Sequence, residues 1–232
     1  MTSHQRSEPP ILYVGTPVVL LSTINPDGTP NLAPMSSAFW LGWRCMLGLG
    51  AMSQTARNLQ RDPHCVINLP SAPMVHHVDR LALSTGSDPV PPAKAARGYR
   101  HVKDKFAHAG LTPQPSETVA AQRIAQCPIQ MEAVIEGRHV MAGDDDKLRG
   151  HALVFEARIL RVHVAPSLLV DGEPNRIDPD RWHPLIMSFQ KFYGLQAQQL
   201  HASRLASIPE AMYRSPDVDR ARTAPALTAL AD

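Results

Sequence analysis

Residues 18–69 constrain the fold most tightly, because apolar runs and chain-reversing residues alternate there faster than a helical bundle allows. The first run, VVLLSTI at 18–24, is mostly β-branched or aliphatic, and Asn25-Pro26-Asp27-Gly28 follows at once. Pro fixes φ and Gly takes φ > 0 without strain, so this sequence predicts a hairpin whose second strand is residues 30–40. The returning strand sets Asn31, Ser36 and Ser37 among Leu32, Ala33, Met35, Ala38 and Phe39. Polar groups inside an otherwise buried strand suit the docking of something polar. A third strand is expected at 45–50, ending in glycines. Ser53 is a suitable N-cap for a short helix over 55–60, with Leu59 inward and Asp62-Pro63 as its stop, and 65–69 reads as a fourth strand ended by Pro70.

Proline punctuation continues downstream. With 22 prolines and aromatic residues at only 5%, the composition favours short strands and loops over long helices. Val75, Val78, Leu81 and Ala82 recur at a spacing of three to four, which predicts a helix over 72–83. The prolines of 89–92 break it, and a second helix is expected over 93–108. Its exposed side carries Lys94, Arg97, Arg100, Lys103 and Lys105, a solvated basic face that would also attract nucleotide phosphates, and Gly110 is its C′ residue. A loop at 113–116 and a short helix to Ala125 complete a helical insertion spanning about 72–125. From Pro128 the pattern alternates: Ile129, Met131, Ala133 and Ile135 face one way, and Gln130, Glu132 and Glu136 the other. A solvated turn at 143–147 leads to a long strand over 151–164, whose length calls for a bend or bulge. Residues 196–207 read as helical and 216–232, poor in bulky residues, as loosely ordered. The organisation predicted is a flexible N-terminal arm at 1–10, one domain at 11–205 and a C-terminal tail at 206–232.

A formal charge of +2 gives no electrostatic case for a nucleic-acid or anionic-membrane partner. Cys45, Cys65 and Cys127 are odd in number, far apart and set in apolar contexts, against both a disulfide framework and a zinc knuckle. His76-His77 point about 100° apart on a helix and lack a third ligand at a usual spacing, so no metal is expected. The N-terminus has no apolar signal core and no run approaches the ~20 residues of a membrane helix, which places the protein in the cytoplasm.

Two features of the opening stretch belong together. A flat heteroaromatic ligand needs an apolar floor rimmed by amides and small hydroxyls, which residues 31–38 offer. A terminal phosphate needs N–H groups at a helix start with hydroxyls beside them, which Ser53, Gln54 and Thr55 offer, with Arg57 to add charge. On these residues the sequence resembles the flavin reductase-like family of FMN-binding split barrels, which includes the reductase components of two-component monooxygenases. The matching strings are PVVLLST at 17–23, DGTPNLAPMSSA at 27–38, SQTARN at 53–58 and VINLPS at 66–71; weaker ones continue through KF at 105–106, AGL at 109–111, CPIQME at 127–132, GHALVFEARILRVHV at 150–164 and HPLIMSFQKFYGL at 183–195.

The resemblance implies a mainly β protein with α insertions, a closed split barrel of about six strands that forms a homodimer and binds FMN near the dimer interface. It implies that Asn31, Pro34, Met35, Ser36, Ser37 and Ala38 line the flavin ring, that Ser53, Gln54, Thr55 and Asn58 hold the ribityl and phosphate end, and that His151 lies near the nicotinamide or the flavin. The activity implied is hydride transfer from NADH or NADPH to flavin, with a partner oxygenase among the acceptors; the alternative is a slow or non-catalytic FMN carrier or store on the same barrel. Two departures stand out. Relatives often have Gly-Asp-His before the long strand, where this chain has Arg149-Gly150-His151, and many have Lys where this chain has Ser53. For single residues, His151 serves either substrate or a loop carbonyl, and Phe192 and Tyr193 either cover the pocket or pack the barrel.

Overall fold

In the computed structural model, which describes residues 4–196, 198–201 and 203–227, the hairpin forms where the turn residues require it. The chain enters through β1 (Thr16–Pro17) and pairs β2 (Val19–Ile24) with β3 (Pro30–Met35). Asn25 N–H donates to the Thr29 carbonyl, Gly28 takes φ +80°, and Asp27 Oδ1 accepts from both the Thr29 N–H and its hydroxyl. Next come β4 (Ala38–Leu41), β5 (Arg44–Gly50), α1 (Gln54–Arg61) and β6 (His64–Leu69). The middle of the chain holds α2 (Val75–Leu81), β7 (Ser84–Thr85), α3 (Pro92–Ala95), β8 (Arg100–His101), α4 (Lys105–Ala109), β9 (Pro113–Gln114) and β10 (Arg123–Ile124). The long strands β11 (Ile129–Val140) and β12 (Ala152–Val164) follow, then β13 (Leu185–Ser188), β14 (Lys191–Gly194) and α5 (Asp217–Arg222).

Seven strands form one antiparallel sheet in the order β3-β2-β6-β11-β12-β5-β4. Its two edges are halves of one segment, since only Ser36 and Ser37 separate β3 from β4. The Ser37 carbonyl accepts from Gly48 N–H on β5 at 2.8 Å, so the sheet closes on itself as a six-stranded split barrel with residues 30–41 serving as a single bent strand. The bend needs Gly48: a Cβ there would lie 3.0 Å from the Ser37 Cβ. Alternation along the strands then fills a core inside the barrel and further apolar clusters outside it. Leu21, Leu47, Ile67, Phe155 and Ile159 meet inside the barrel, where Ala56 and Leu59 of α1 close one end. Leu20 and Leu32 point outward and are covered by Val78 and Leu81 of α2 and Phe106 and Ala109 of α4. That double coverage explains why β2 is apolar on both faces.

The insertion differs from the expected pair of long helices. Residues 93–108 are not one helix: α3 stops at Ala95, Gly98 takes φ +85°, β8 pairs in parallel with β7, and α4 starts afresh where Asp104 caps Ala107 N–H. Lys94 is therefore half-buried and Lys105 is 3% exposed, rather than sharing a solvated face. The short helix expected before Ala125 is replaced by the β9–β10 pair.

Glu132, placed on a solvent face by its alternation, is fully buried. Residues 115–121 fold over it, and its carboxylate accepts from the backbone N–H groups of Glu117 and Thr118 and from the Thr118 hydroxyl. The bend expected in the long strand is present as a bulge at Leu160, and β11 bulges at Glu136. Residues 196–207 carry only a 3₁₀ turn, Arg204–Ser207, among the described residues. The tail expected to be loose holds α5, which buries Ala221 and anchors Asp217 on Arg44 at 2.9 Å; residues 228–232 lie outside the described residues. Few bulky residues are needed there because ion pairs dock the helix.

Candidate functional site

A cavity of about 360 Å³ lies between the bent strand and α1 on one side and the α2–α4 insertion on the other. Its floor is apolar, made by Ala33, Pro34 and Met35 of β3 and by Gly48, Leu49 and Gly50 of β5. One rim is the start of α1. Ser53 caps the helix, its Oγ accepting from Ala56 N–H at 3.1 Å, which leaves the first-turn N–H groups of Gln54 and Thr55 without intrahelical acceptors.

Behind that rim a polar relay fixes the side chains. Asn31, 1% exposed, donates from Nδ2 to Thr23 Oγ1 at 3.1 Å and to Thr55 Oγ1 at 3.0 Å. Both amide hydrogens are thereby used, and Oδ1 is aimed at Gly86 with no hydrogen-bond partner among the described residues. A Cβ at Gly86 would lie 2.5 Å from that oxygen, so only glycine fits the wall. A second cavity of about 400 Å³ lies beyond; Asn31, Gln54 and Gly86 border both, and Asp27, His101 and Lys103 reach only the second. Asn58 lines neither. It donates to Thr23 Oγ1 and Asn25 Oδ1 and accepts from Gln54 Nε2 at 2.9 Å, so it orients Gln54.

The opposite wall is cationic. Lys105 Nζ donates to the Leu32 carbonyl at 2.8 Å, and Lys94 Nζ lies 3.4 Å from Thr85 Oγ1 and 5.5 Å from the centre of the Tyr99 ring. Among the described residues neither ammonium has a carboxylate within ion-pair distance. Burial, and then the charge of Lys94, pulls Lys105 down to about 8; burial, and then the charge of Arg57, lowers Lys94. A partly desolvated positive wall of this kind favours an anionic ligand over a neutral one.

Of the residues named from the sequence, Asn31, Pro34, Met35, Ser53, Gln54 and Thr55 meet in this cavity. Ser36, Ser37 and Ala38 do not: the serines form the bend of the closing strand and Ala38 is in the barrel core. His151 is exposed and lines neither cavity; it is its carbonyl that reaches the site-bearing segment, accepting Ala51 N–H at 3.0 Å. The sequence does not point to Tyr13, Gly86 or Tyr99 as lining residues, and it sets Lys94 and Lys105 on a solvated face instead of in the cavity. A signal existed for Lys105, because Asp104 is a good N-cap and the apolar Phe106 beside it turns that first helical turn toward the core.

The arrangement has known relatives. Residues 12–196 match the flavin reductase like domain. The protein YdfE of Bacillus subtilis (strain 168), named as uncharacterized, is 40% identical over 188 residues, covering 81% of this chain and 87% of that protein. This chain belongs to the flavin reductase-like family. The family's fold recurs in the solved structures of flavoredoxin from Desulfovibrio vulgaris (Miyazaki F), with 23% identity, a TM-score of 0.68 and coverage of 89% of this chain and all of that one. It recurs also in nitrilotriacetate monooxygenase component B from Bacillus cereus, with 19% identity, a TM-score of 0.66 and coverage of 82% and 88%. The residues of this flavin reductase-like chain fit a flavin. They offer an apolar floor for the ring, an unpartnered Asn31 Oδ1 for a ring N–H or ribityl hydroxyl, and free helix N–H groups with two unpaired ammoniums for negative charge.

Proposed function

We propose that the protein is an NAD(P)H:flavin oxidoreductase that binds FMN in the cavity between the bent strand and α1. The observation that carries this reading is the pairing, in one cavity, of an apolar floor with two lysines that lack carboxylate partners among the described residues. Bound flavin supplies the hydride-accepting chemistry, and the protein has to bind, orient and shield it. Ala33, Pro34 and Met35 support the ring and keep water from it. Ser53 presents the N–H groups of Gln54 and Thr55 to the phosphate, while Lys94 and the exposed Arg57 replace the charge lost by having Ser at position 53. Asn58 acts through Gln54 and Thr23 by holding the relay in place. Homodimerisation, a cytoplasmic location and delivery of reduced flavin to a partner oxygenase complete the proposal, the last by analogy with the monooxygenase component B that shares the fold.

A slow electron carrier or flavin store is a second reading, favoured by the position of His151 outside both cavities. Fluorescence titration of the apoprotein with FMN and with riboflavin tests the binding assignment. FMN is expected to bind at least tenfold more tightly, with the difference shrinking in Lys94→Met. Equal affinity for the two in the wild type removes the phosphate assignment.

A further inference from the structure

We infer that Lys105 is a redox-positioning residue, a buried positive charge that favours the reduced, anionic form of flavin over the oxidised form. The inference rests on flavin occupying the cavity. The three basic groups near it differ in depth: Arg57 is exposed, Lys94 half-buried and Lys105 3% exposed. Arg57 and Lys94, with the start of α1, suffice for a hydrated phosphate at the outer end. Lys105 enters from α4 and is anchored on the carbonyl of Leu32, and the next residues of that strand, Ala33, Pro34 and Met35, are the apolar floor. Its ammonium thus stands beside the floor on which the ring rests, with one acceptor and no counter-ion among the described residues.

Hydride transfer from a nicotinamide gives the flavin two electrons and one proton and releases the oxidised nicotinamide, leaving one negative charge on the flavin ring. In a desolvated cavity that charge is stabilised by a fixed cation, and placing charge near the ring is how a protein tunes a flavin. Lys105 also becomes less costly in the reduced complex, since its charge is compensated there.

The test is the ratio of affinities for reduced and oxidised FMN, read as the reduction potential of the bound flavin, in wild type, Lys105→Gln and Lys105→Arg. Gln keeps a donor for the Leu32 carbonyl and removes only the charge; Lys105→Met, with melting temperatures for all variants, guards against misfolding. The expected result is a loss of about tenfold in the ratio for both Gln and Met, about 30 mV for a two-electron couple, with Arg close to wild type. An unchanged ratio in a folded Gln variant that still binds FMN overturns the inference and leaves the binding site standing. Loss of FMN affinity relative to riboflavin with an unchanged potential also overturns it, and makes Lys105 a phosphate ligand. Failure of the wild type to bind any flavin removes the reading on which the inference rests.

Discussion

Replacing Glu132 by Gln tests whether the barrel carries a buried charge that the alternation of β11 conceals. Oε1 accepts from Glu117 N–H at 2.9 Å and lies 2.8 Å from His163 Nε2, while Oε2 accepts from Thr118 N–H at 2.6 Å and from its hydroxyl at 2.5 Å. A Gln side chain must turn its NH₂ toward one of these N–H donors, whichever way it flips. Burial by itself would raise the carboxyl, but the hydrogen bonds from His163, Thr118 and Glu117 outweigh it and hold Glu132 at about 2, against an ordinary value of 4.5. A depressed carboxyl contributes stability that is fully present above its unfolded value and is lost as pH falls toward the folded one. The contribution is about 3 kcal/mol at neutral pH, of which about 2 kcal/mol is gone by pH 3. Glu132→Gln is expected to lose about 3–5 kcal/mol at pH 7, the range for breaking a buried charged pair. The assay is urea unfolding of both proteins at pH 7, 5, 4 and 3. Carboxylates common to both cancel in the difference, which should shrink by about 2 kcal/mol at the acid end. A difference that stays constant from pH 7 to pH 3 refutes the reasoning. FMN affinity at pH 7 is expected to be unchanged, because Glu132 lines neither cavity.

Other perturbations separate the site from its scaffold. Gly86→Ala drives a Cβ against Asn31 Oδ1 and should cost about 1–3 kcal/mol by overpacking and lower FMN affinity at least tenfold, read by urea unfolding and fluorescence titration. Asn58→Ala removes the partner of Gln54 and a donor to Thr23, and is expected to cost about 1–3 kcal/mol of stability in the same unfolding assay, with a smaller loss of FMN affinity than Asn31→Ala. Asp217→Ala breaks the hold of α5 on Arg44 and should speed proteolysis of the C-terminal segment without changing FMN binding, measured by limited digestion and mass spectrometry. His151→Ala should leave FMN affinity within about twofold of wild type by titration, in keeping with its exposed position.

What the sequence disclosed was local. The turn at 25–28, the Ser53 cap and the helix it begins each follow from neighbouring residues, and all three appear. Ser36 and Ser37 stand out in the sequence as polar residues in a buried strand, but in the fold they form its bend, which depends on Gly48 from another strand. The stretch 93–108 has helical composition, yet Gly98 and the capping power of Asp104 divide it, and the division brings Lys94 and Lys105 to the cavity. Glu132 alternates like a solvent-facing residue; its partners lie 14 to 31 positions away in sequence, beyond any local pattern. The docking of α5 depends in the same way on Arg44, at the start of β5.

The most direct test of the account is the visible spectrum of the purified protein after reconstitution with FMN and desalting, before and after NADH or NADPH is added without oxygen. Retained flavin that bleaches within the turnover time with at least one donor is the predicted result. Flavin that is retained but reduced only by dithionite contradicts the reductase and leaves the carrier; no FMN retained, and none bound on titration, contradicts the placement of flavin in the lysine-walled cavity.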